Sequence, residues 1–233
     1  MTYNKINEVI LLAGGFGKRL RKISKGKPKP LMKIYKDFSV LDLILEKLNK
    51  HNFRIFLTVH YKSNLFVKKY KHIKNIKIIR ENFPLGTGGA IKNCIKNIKG
   101  KVFLVINCDT LSNINYLDFI KFYNQKKVNN KILIGGSFVK NISRFGGLKI
   151  YKKNFLIGFH EKNNISKKGW VNNGSYIVSK RFFKLKRKTF SFEKDILSTE
   201  CHKNNVIVYK VFKDNFIDIG IPIDYEKAIK KYN

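Results

Sequence analysis

Short apolar runs alternate along the chain with amphipathic stretches. Apolar runs of about four to eight residues are typical of buried strands, whereas apolar residues spaced three and four apart are typical of helices. These patterns predict strands at residues 8–13, 53–60, 76–80, 101–107, 132–139, 146–151, 155–161, 171–179 and 206–212. They predict helices at residues 40–49, 64–72, 90–97, 114–123, 192–201 and 224–231.

The order of these elements predicts an α/β fold. Up to about residue 130 strands and helices alternate, which indicates a Rossmann-like, mixed but mostly parallel sheet flanked by helices. From residue 131 onward short strand-like runs with glycine and asparagine turns predict a small β-rich insertion. Because 43% of the residues are hydrophobic and no linker-like tract interrupts the chain, we expect a single domain over residues 1–233.

The first predicted strand ends in a loop that combines glycines with cations. The glycines are Gly14, Gly15 and Gly17, and the cations are Lys18, Arg19, Arg21 and, between two prolines, Lys29. Bare backbone N–H groups beside clustered cations suit a polyphosphate. Leu20 stands where a dinucleotide fingerprint needs its third glycine, and Leu12 where a P-loop needs its first. We therefore expect a phosphate site of another class, the alternative being a tight turn between a strand and a surface loop.

A second glycine cluster, Gly86, Gly88 and Gly89, precedes the helix predicted at residues 90–97. Glycines at a helix entry offer N–H groups and close approach to a ligand. The alternative is an ordinary loop that starts a helix.

Two acidic residues stand at the ends of apolar strands. Asp109 follows the strand at residues 101–107, where α/β sheets bind ligands. A carboxylate there would repel a triphosphate unless a cation lay between them, so Asp109 implies Mg²⁺. The alternative is a cap for the helix at residues 114–123, for which Ser112 or Asn113 is better placed. Asp218 lies between two isoleucines and needs a partner, which a metal shared with Asp109 would supply.

The formal net charge of +34 invites a nucleic-acid-binding function. The lysines are spread over the whole chain, which indicates a general compositional bias, and we expect no nucleic-acid partner.

Three widely separated cysteines, Cys94, Cys108 and Cys201, show no metal spacing and suit a reducing cytosol. A polar start and the lack of a membrane-length apolar run predict a cytoplasmic protein without a membrane partner.

Together the motifs resemble those of the sugar-phosphate nucleotidyltransferases, the nucleotide-diphosphate-sugar pyrophosphorylases. The resemblance rests on Leu12–Leu20 with Pro28–Pro30, Leu85–Ile91, Asn107–Asp109, Glu161–Lys162, Asn173–Gly174, Ser191–Asp195 and Phe216–Gly220. It implies a GT-A-like nucleotide-diphospho-sugar transferase fold. Within the family, the segments Pro84–Ile91, Phe190–Glu193 and Phe216–Tyr225 are similar to the short D-glycero-D-manno-heptose 1-phosphate guanylyltransferases.

The resemblance also implies roles for individual residues. The nucleotide would contact Leu12, Ala13, Gly14, Gly15, Gly17, Lys18, Arg19, Lys29, Glu81, Pro84, Gly86, Thr87, Asn107 and Asp109. The sugar phosphate would contact Gly147, Glu161, Lys162, Asn173, Gly174 and Asp218. The chain would thus consist of a nucleotide-binding half at about residues 1–130 and a sugar-phosphate-binding half at about residues 131–233. The catalytic residues would be Arg19, Lys29 and Asp109, and the Mg²⁺ ligands would be Asp109 and Asp218.

The implied reaction is in-line attack of a sugar 1-phosphate on the α-phosphorus of a nucleoside triphosphate, with release of pyrophosphate. GTP is favoured because the Glu81 carboxylate only accepts hydrogen bonds and can receive both N1–H and the exocyclic amine of guanine. Alternatives are a mannose-1-phosphate guanylyltransferase, another sugar-1-phosphate uridylyl- or cytidylyltransferase, and, from another class, a basic nucleic-acid-binding protein. We expect a monomer or a homodimer.

Overall fold

A seven-stranded sheet runs through the computed structural model, which describes residues 5–125, 128, 130–145, 147–160, 167–212 and 216–232. The strands are β1 (Glu8–Leu12), β2 (Lys33–Tyr35), β3 (Phe38–Ser39), β4 (Arg54–Val59), β5 (Ile76–Arg80), β6 (Val102–Asn107), β7 (Thr110–Leu111), β8 (Ile132–Val139), β9 (Leu148–Ile150), β10 (Leu156–Phe159), β11 (Gly169–Ser179), β12 (Val206–Val211) and β13 (Ile217–Asp218). The α-helices are α1 (Arg21–Ser24), α2 (Val40–Asn49), α3 (Ser63–Tyr70), α4 (Gly86–Ile95), α5 (Tyr116–Tyr123), α6 (Ser198–His202) and α7 (Pro222–Tyr232).

The sheet has the strand order β12-β8-β11-β6-β1-β4-β5. All its neighbouring strands are parallel except at β11, which is antiparallel to both β6 and β8. The mostly parallel α/β fold predicted from the sequence is thereby confirmed. In β1, Leu12 pairs with Thr58 of β4 on one side and with Asn107 of β6 on the other. The carboxyl ends of β1, β4 and β6 consequently meet at one edge of the sheet.

Both faces of the sheet are covered, which explains why β1 is apolar at consecutive positions. Val9 and Leu11 belong to a core under α2, α3 and α5, whereas Ile10 belongs to a core on the other face with α4 and α6. The helix α2 begins at a capping box in which Ser39 and Asp42 exchange hydrogen bonds.

The β-rich second half divides between the main sheet and a small ribbon. The strands β8, β11 and β12 join the main sheet, since their apolar runs are buried on both faces, as at Ile132–Ile134 and Tyr176–Val178. The strands β9 and β10 pair with each other as a separate two-stranded antiparallel ribbon. The predicted insertion is therefore smaller than its strand count indicated.

Four other segments differ from the sequence-based expectation. The basic loop after Gly17 winds into a 3-10 turn at Lys18–Leu20 followed by α1, and the hairpin of β2 and β3 was not predicted. The helix predicted at 192–201 begins as a π-helical turn at Phe192–Leu197 and continues as α6, and the Ser191 side chain caps it by accepting the Lys194 N–H. The cap of α5 is Asn115, whose side chain accepts two backbone N–H groups, rather than Ser112 or Asn113.

Helix α4 begins at Gly86, four residues before the predicted start, so the glycines lie inside the helix. A Cβ on Gly88 would stand 2.3 Å from the Phe190 ring, and one on Gly89 would stand 2.3 Å from the Lys188 carbonyl oxygen. Glycine is required there because another part of the chain, the segment at residues 188–190, packs against the helix. Across the described ranges, no helix has the length and apolar character needed to cross a bilayer. The three cysteines are free and buried.

Candidate functional site

The carboxyl ends of β1, β4 and β6 open into a cavity of about 300 Å³. Among the residues predicted to contact a nucleotide, its lining includes Leu12, Ala13, Gly14, Gly15, Gly17, Lys29, Glu81, Pro84, Gly86, Thr87, Asn107 and Asp109. The sequence analysis missed Phe16, Pro30, Thr58, Leu85 and Ala90, which also line it. All but Thr58 stand inside or beside a quoted motif. Thr58 could have been found as the polar residue near the end of an apolar strand.

Glycines keep the backbone of the first loop free of side chains at the cavity wall. Gly17 has φ +61°, and a Cβ there would stand 2.9 Å from Cγ of Lys29. A glycine at this position therefore lets the Lys29 side chain cross the loop toward the cavity. Gly15 is exposed, and nothing within 4 Å would meet a Cβ on it. The loop thus offers open backbone on one side and a cation on the other.

Glu81 follows β5 and presents an unused acceptor to the cavity. Its Oε2 accepts the Leu85 N–H at 3.3 Å, and its own carbonyl lies 3.0 Å from Nδ1 of His60. Its Oε1 is buried and has no hydrogen-bond partner among the described atoms, as is also true of Asn107 Oδ1. Burial raises the pKa of Glu81, while the Leu85 N–H and His60 oppose that rise. Unpaired buried acceptors that line a cavity suit a ligand with N–H or O–H donors.

Lys29 and Asp109, which both line the cavity, form an ion pair. The Nζ of Lys29 lies 3.2 Å from Oδ2 of Asp109, and the lysine side chain is only 13% exposed. Lys29 is positioned by the 3-10 turn Lys29–Leu31, which Pro28 precedes. A largely buried cation at the cavity wall can neutralise the charge of a phosphate that approaches it.

The short pairing of β7 with β13 brings Asp218 beside Asp109. Asp218 stands opposite Thr110, and the Ile219 N–H donates to the Asp109 carbonyl at 3.1 Å. Burial, and then the charge of Asp109, raise the pKa of Asp218, while Lys29 and Arg144 oppose the rise. Two acids far apart in the sequence therefore lie at one place.

The two acids fit a magnesium ion whose other ligands come from a substrate. In the part of the chain that the structure describes, no group of three or more His, Cys, Asp or Glu side chains could hold a metal. Magnesium is commonly held by one or two carboxylates together with substrate phosphates. Asp109 and Asp218 match that smaller donor set.

Two arginines lie on the Asp218 side of the site. The Arg144 guanidinium contacts Asp224 and lies 3.6 Å from Oδ2 of Asp218. A Cβ on Gly220 would stand 3.1 Å from a guanidinium nitrogen of Arg19, which places Arg19 here rather than in the cavity lining. The sequence analysis missed Arg144 and Asp224 as site residues, since only tertiary structure joins them. The side chain of Lys18 lies outside what the structure describes.

Gly174 approaches the cavity from β11. Its φ is +78°, and a Cβ would stand 2.8 Å from both Asn107 Cβ and Thr110 Oγ1, so only glycine fits. Asn173 beside it is buried, and its Oδ1 accepts the Ser175 N–H at 3.1 Å. The Asn173 amide therefore supports the turn, and its contact with a sugar phosphate stays a prediction.

The remaining predicted sugar-phosphate residues lie elsewhere or outside the description. Gly147 precedes β9, and its carbonyl accepts the His160 N–H at 2.7 Å rather than lining the cavity. Glu161 and Lys162 fall outside the residues that the structure describes.

Thr87 lines the cavity, but its hydroxyl is already engaged. The hydroxyl donates to Glu193 at 2.6 Å and accepts the Phe192 N–H at 2.9 Å. A nucleotide could therefore meet the Thr87 backbone or methyl group more readily than its hydroxyl.

The chain is similar to known proteins over nearly its whole length. The model of the nucleotidyl transferase family matches residues 8–233. D-glycero-alpha-D-manno-heptose 1-phosphate guanylyltransferase of Campylobacter jejuni is 34% identical over 226 residues, which cover 94% of this chain and 96% of that protein. The protein of the same name from Aneurinibacillus thermoaerophilus is 35% identical over 233 residues and covers 96% and 97%. HddC from Yersinia pseudotuberculosis, solved in complex with GMP-PN, is similar with a TM-score of 0.84 and 33% identity over 98% of this chain and 100% of that one.

Proposed function

The chain belongs to the nucleotidyl transferase family, and we propose that it transfers a guanylyl group from GTP to D-glycero-D-manno-heptose 1-phosphate. The observation that carries the choice of GTP is the unpaired, buried Oε1 of Glu81 in the cavity wall. The choice of sugar rests on the two relatives named as heptose 1-phosphate guanylyltransferases, which align over nearly their whole length.

Guanine suits Glu81 better than the other bases do. Its N1–H and exocyclic amine are adjacent donors, and a carboxylate is an acceptor only. Uracil and thymine present a donor beside an acceptor. That acceptor would face a carboxylate oxygen, which has no hydrogen to donate to it. The complex of the similar protein HddC with GMP-PN supports a guanine nucleotide in this fold.

The cations and glycines would receive the triphosphate. A non-bridging oxygen of the sugar 1-phosphate forms a bond to the α-phosphorus of GTP, and the bond from that phosphorus to the leaving pyrophosphate oxygen breaks. Lys29 at the cavity edge and Arg19 near Asp218 would neutralise the charge that builds on these oxygens. The reaction needs alignment and charge neutralisation more than a protein nucleophile.

Asp109 and Asp218 would hold Mg²⁺, which when bound neutralises phosphate charge. The two carboxylates are brought together by the β7–β13 pairing. Arg144 would then orient Asp218 through contacts to its carboxylate and its carbonyl oxygen.

We further propose one nucleotidyltransferase domain with two working halves. The cavity lining lies between Leu12 and Asp109, which supports a nucleotide-binding half at about residues 1–130. Gly174 and Asp218 come from the second half, which would receive the sugar phosphate. The free, buried thiols of Cys94, Cys108 and Cys201 support a reducing, cytoplasmic setting.

A substrate matrix tests this function. Four nucleoside triphosphates are each combined with the 1-phosphates of D-glycero-D-manno-heptose, mannose and glucose, with pyrophosphate release as the readout. We expect the highest kcat/KM for GTP with the heptose. A UTP or CTP preference would overturn the base assignment, and a mannose preference would overturn the sugar.

A further inference from the structure

The carboxylate of Glu193 joins the start of α4, which lines the cavity, to β11, whose Gly174 packs against Asn107 in the cavity lining. Its Oε2 accepts hydrogen bonds from Thr87 Oγ1 at 2.6 Å and from Ser191 Oγ at 3.0 Å. Its Oε1 accepts one from the Tyr176 hydroxyl at 3.2 Å. Glu193 lies in the motif Ser191–Asp195, to which the proposed reaction gives no role.

The first arm of this network leads to the start of α4. The Thr87 hydroxyl accepts the Phe192 N–H at 2.9 Å, and the Phe190 carbonyl accepts the Gly88 N–H at 3.0 Å. These bonds hold the first turn of α4 against the segment that carries Glu193. Just before that turn, the Leu85 N–H donates to Glu81, to which the proposed function assigns recognition of the base.

The second arm leads through β11 to the Gly174 turn. The Tyr176 hydroxyl accepts from Asn172 Nδ2 at 2.7 Å, and Asn172 Oδ1 accepts the Gly174 N–H at 2.9 Å. The turn then packs against Asn107 and Thr110. Tyr176 is fully buried, and burial raises its pKa well above the usual value, so its hydroxyl stays protonated and keeps donating.

We propose that Glu193 is a positioning residue that fixes the start of α4, on the base side, and the Gly174 turn, on the sugar-phosphate side, in one arrangement. This rests on the proposed function, in which GTP and the sugar 1-phosphate must meet in line. Glu193 receives three hydroxyl donors, a task that suits a carboxylate. In Glu193→Gln one carboxylate oxygen becomes an NH₂ group, which cannot accept a hydrogen bond. If the NH₂ group replaces Oε1, the Tyr176 hydroxyl loses its acceptor. If it replaces Oε2, the Thr87 hydroxyl loses its acceptor.

Three substitutions separate the two arms. Thr87→Val removes the hydroxyl on the α4 side, and we expect the KM for GTP to rise about tenfold with little change in the KM for the sugar 1-phosphate. Tyr176→Phe removes the hydroxyl on the β11 side and should raise the KM for the sugar 1-phosphate instead. Glu193→Gln should raise both KM values and lower kcat, because both arms lose their common anchor.

The matched control is Glu200→Gln. Glu200 is also a partly buried helical glutamate, but it is bonded to Lys203 and Asn205, neither of which lines the cavity. We expect both of its KM values to equal those of the wild type. Melting temperatures of all four variants are recorded, because a merely structural role would lower melting temperatures without confining the KM changes of Thr87→Val and Tyr176→Phe to different substrates.

The outcomes distinguish this inference from the proposed function. A wild-type enzyme inactive with GTP and every sugar 1-phosphate would remove the proposed function. An active wild type whose Glu193→Gln variant keeps both KM values would overturn the positioning role alone. If Glu193→Gln does not fold, the two single-arm variants decide: KM changes confined to different substrates support the role, and changes in the same substrate or in neither overturn it.

Discussion

Oε1 of Glu81 lies so close to Gly14 that a Cβ on Gly14 would stand 3.1 Å from it. A glycine at the end of β1 thus leaves room beside an acceptor that comes from the end of β5. Neither residue alone specifies a base, but together they form a gap lined by one unpaired oxygen. The most direct tests of the proposed function begin at this pair.

Glu81→Gln should reduce the preference for GTP. The amide replaces one acceptor with a donor, which would face the donors of guanine. Hydrogen bonds to a charged group contribute about 1.5–3 kcal/mol, so we expect kcat/KM for GTP to fall by about 10–100-fold relative to that for UTP. Steady-state pyrophosphate release with each nucleotide measures this ratio. Glu200→Gln serves as the control, and an unchanged ratio in Glu81→Gln would remove Glu81 from base recognition.

The same substitution should stabilise the free enzyme at neutral pH. Burial raises the pKa of Glu81 above its ordinary value of 4.5, so the folded state binds a proton more tightly than the unfolded chain does. Stability is therefore lost as the pH rises through the window between the two pKa values, and the cost of the ionised form persists above it. Glu81→Gln avoids this cost. Thermal melts should show a gain over the wild type at pH 7.5 that disappears near pH 4, and a gain equal at both pH values would contradict the argument.

The sequence predicted the sheet and one wall of the site, because both follow from local patterns. The apolar run Ile76–Arg80 was placed correctly as β5, and the glycine loop and Asp109 were placed at strand ends. Roles that depend on partners distant in the sequence were not predictable in the same way. Arg144 meets Asp218 across 74 residues, and no local pattern indicates that contact.

The second glycine cluster, Gly86, Gly88 and Gly89, also depends on contacts that the sequence alone does not reveal. A glycine indicates that something comes close to the backbone, but the sequence does not say whether this is a ligand or the chain itself. At Gly88 and Gly89 it is the chain, through Phe190 and Lys188, whereas Gly86 both lines the cavity and packs on Phe190.

Alanine substitutions at two glycines should separate ligand binding from folding. Gly88→Ala would push a Cβ into the Phe190 ring, and overpacking of this kind costs about 1–3 kcal/mol. Gly15→Ala meets no neighbouring atom, so its stability should equal that of the wild type, while its methyl group enters the cavity and weakens nucleotide binding. Thermal melts together with titration of GTP measure both effects. A destabilised Gly15→Ala, or a Gly88→Ala as stable as the wild type, would contradict this reading of the two loops.

Arg19→Ala should lower kcat by about 10²–10³, the loss typical of removing one group that stabilises transition-state charge. The reason is the position of its guanidinium beside Gly220 and Asp218, where the phosphates would meet the two acids. Arg21→Ala is the matched control, since Arg21 is an exposed arginine two residues further along. Single-turnover rates at saturating substrates measure the effect. Near-normal turnover in Arg19→Ala would exclude Arg19 from catalysis.

Asp109 and Asp218 should make the enzyme depend on magnesium in two independent measurements. EDTA should abolish turnover, and added Mg²⁺ should restore it, because the paired carboxylates and the phosphates need a cation between them. In the presence of GTP, Mg²⁺ should also raise the melting temperature of the wild type, since a ligand that binds only the folded state stabilises it. Asp109→Asn and Asp218→Asn should lose most of that rise. Asp37→Asn is the control, because Asp37 is an exposed acid paired with Lys33 and neither residue lines the cavity, and it should keep the full rise. If both site variants retained the rise as well, the metal would have to bind elsewhere, and the pairing of β7 with β13 would then serve the fold alone.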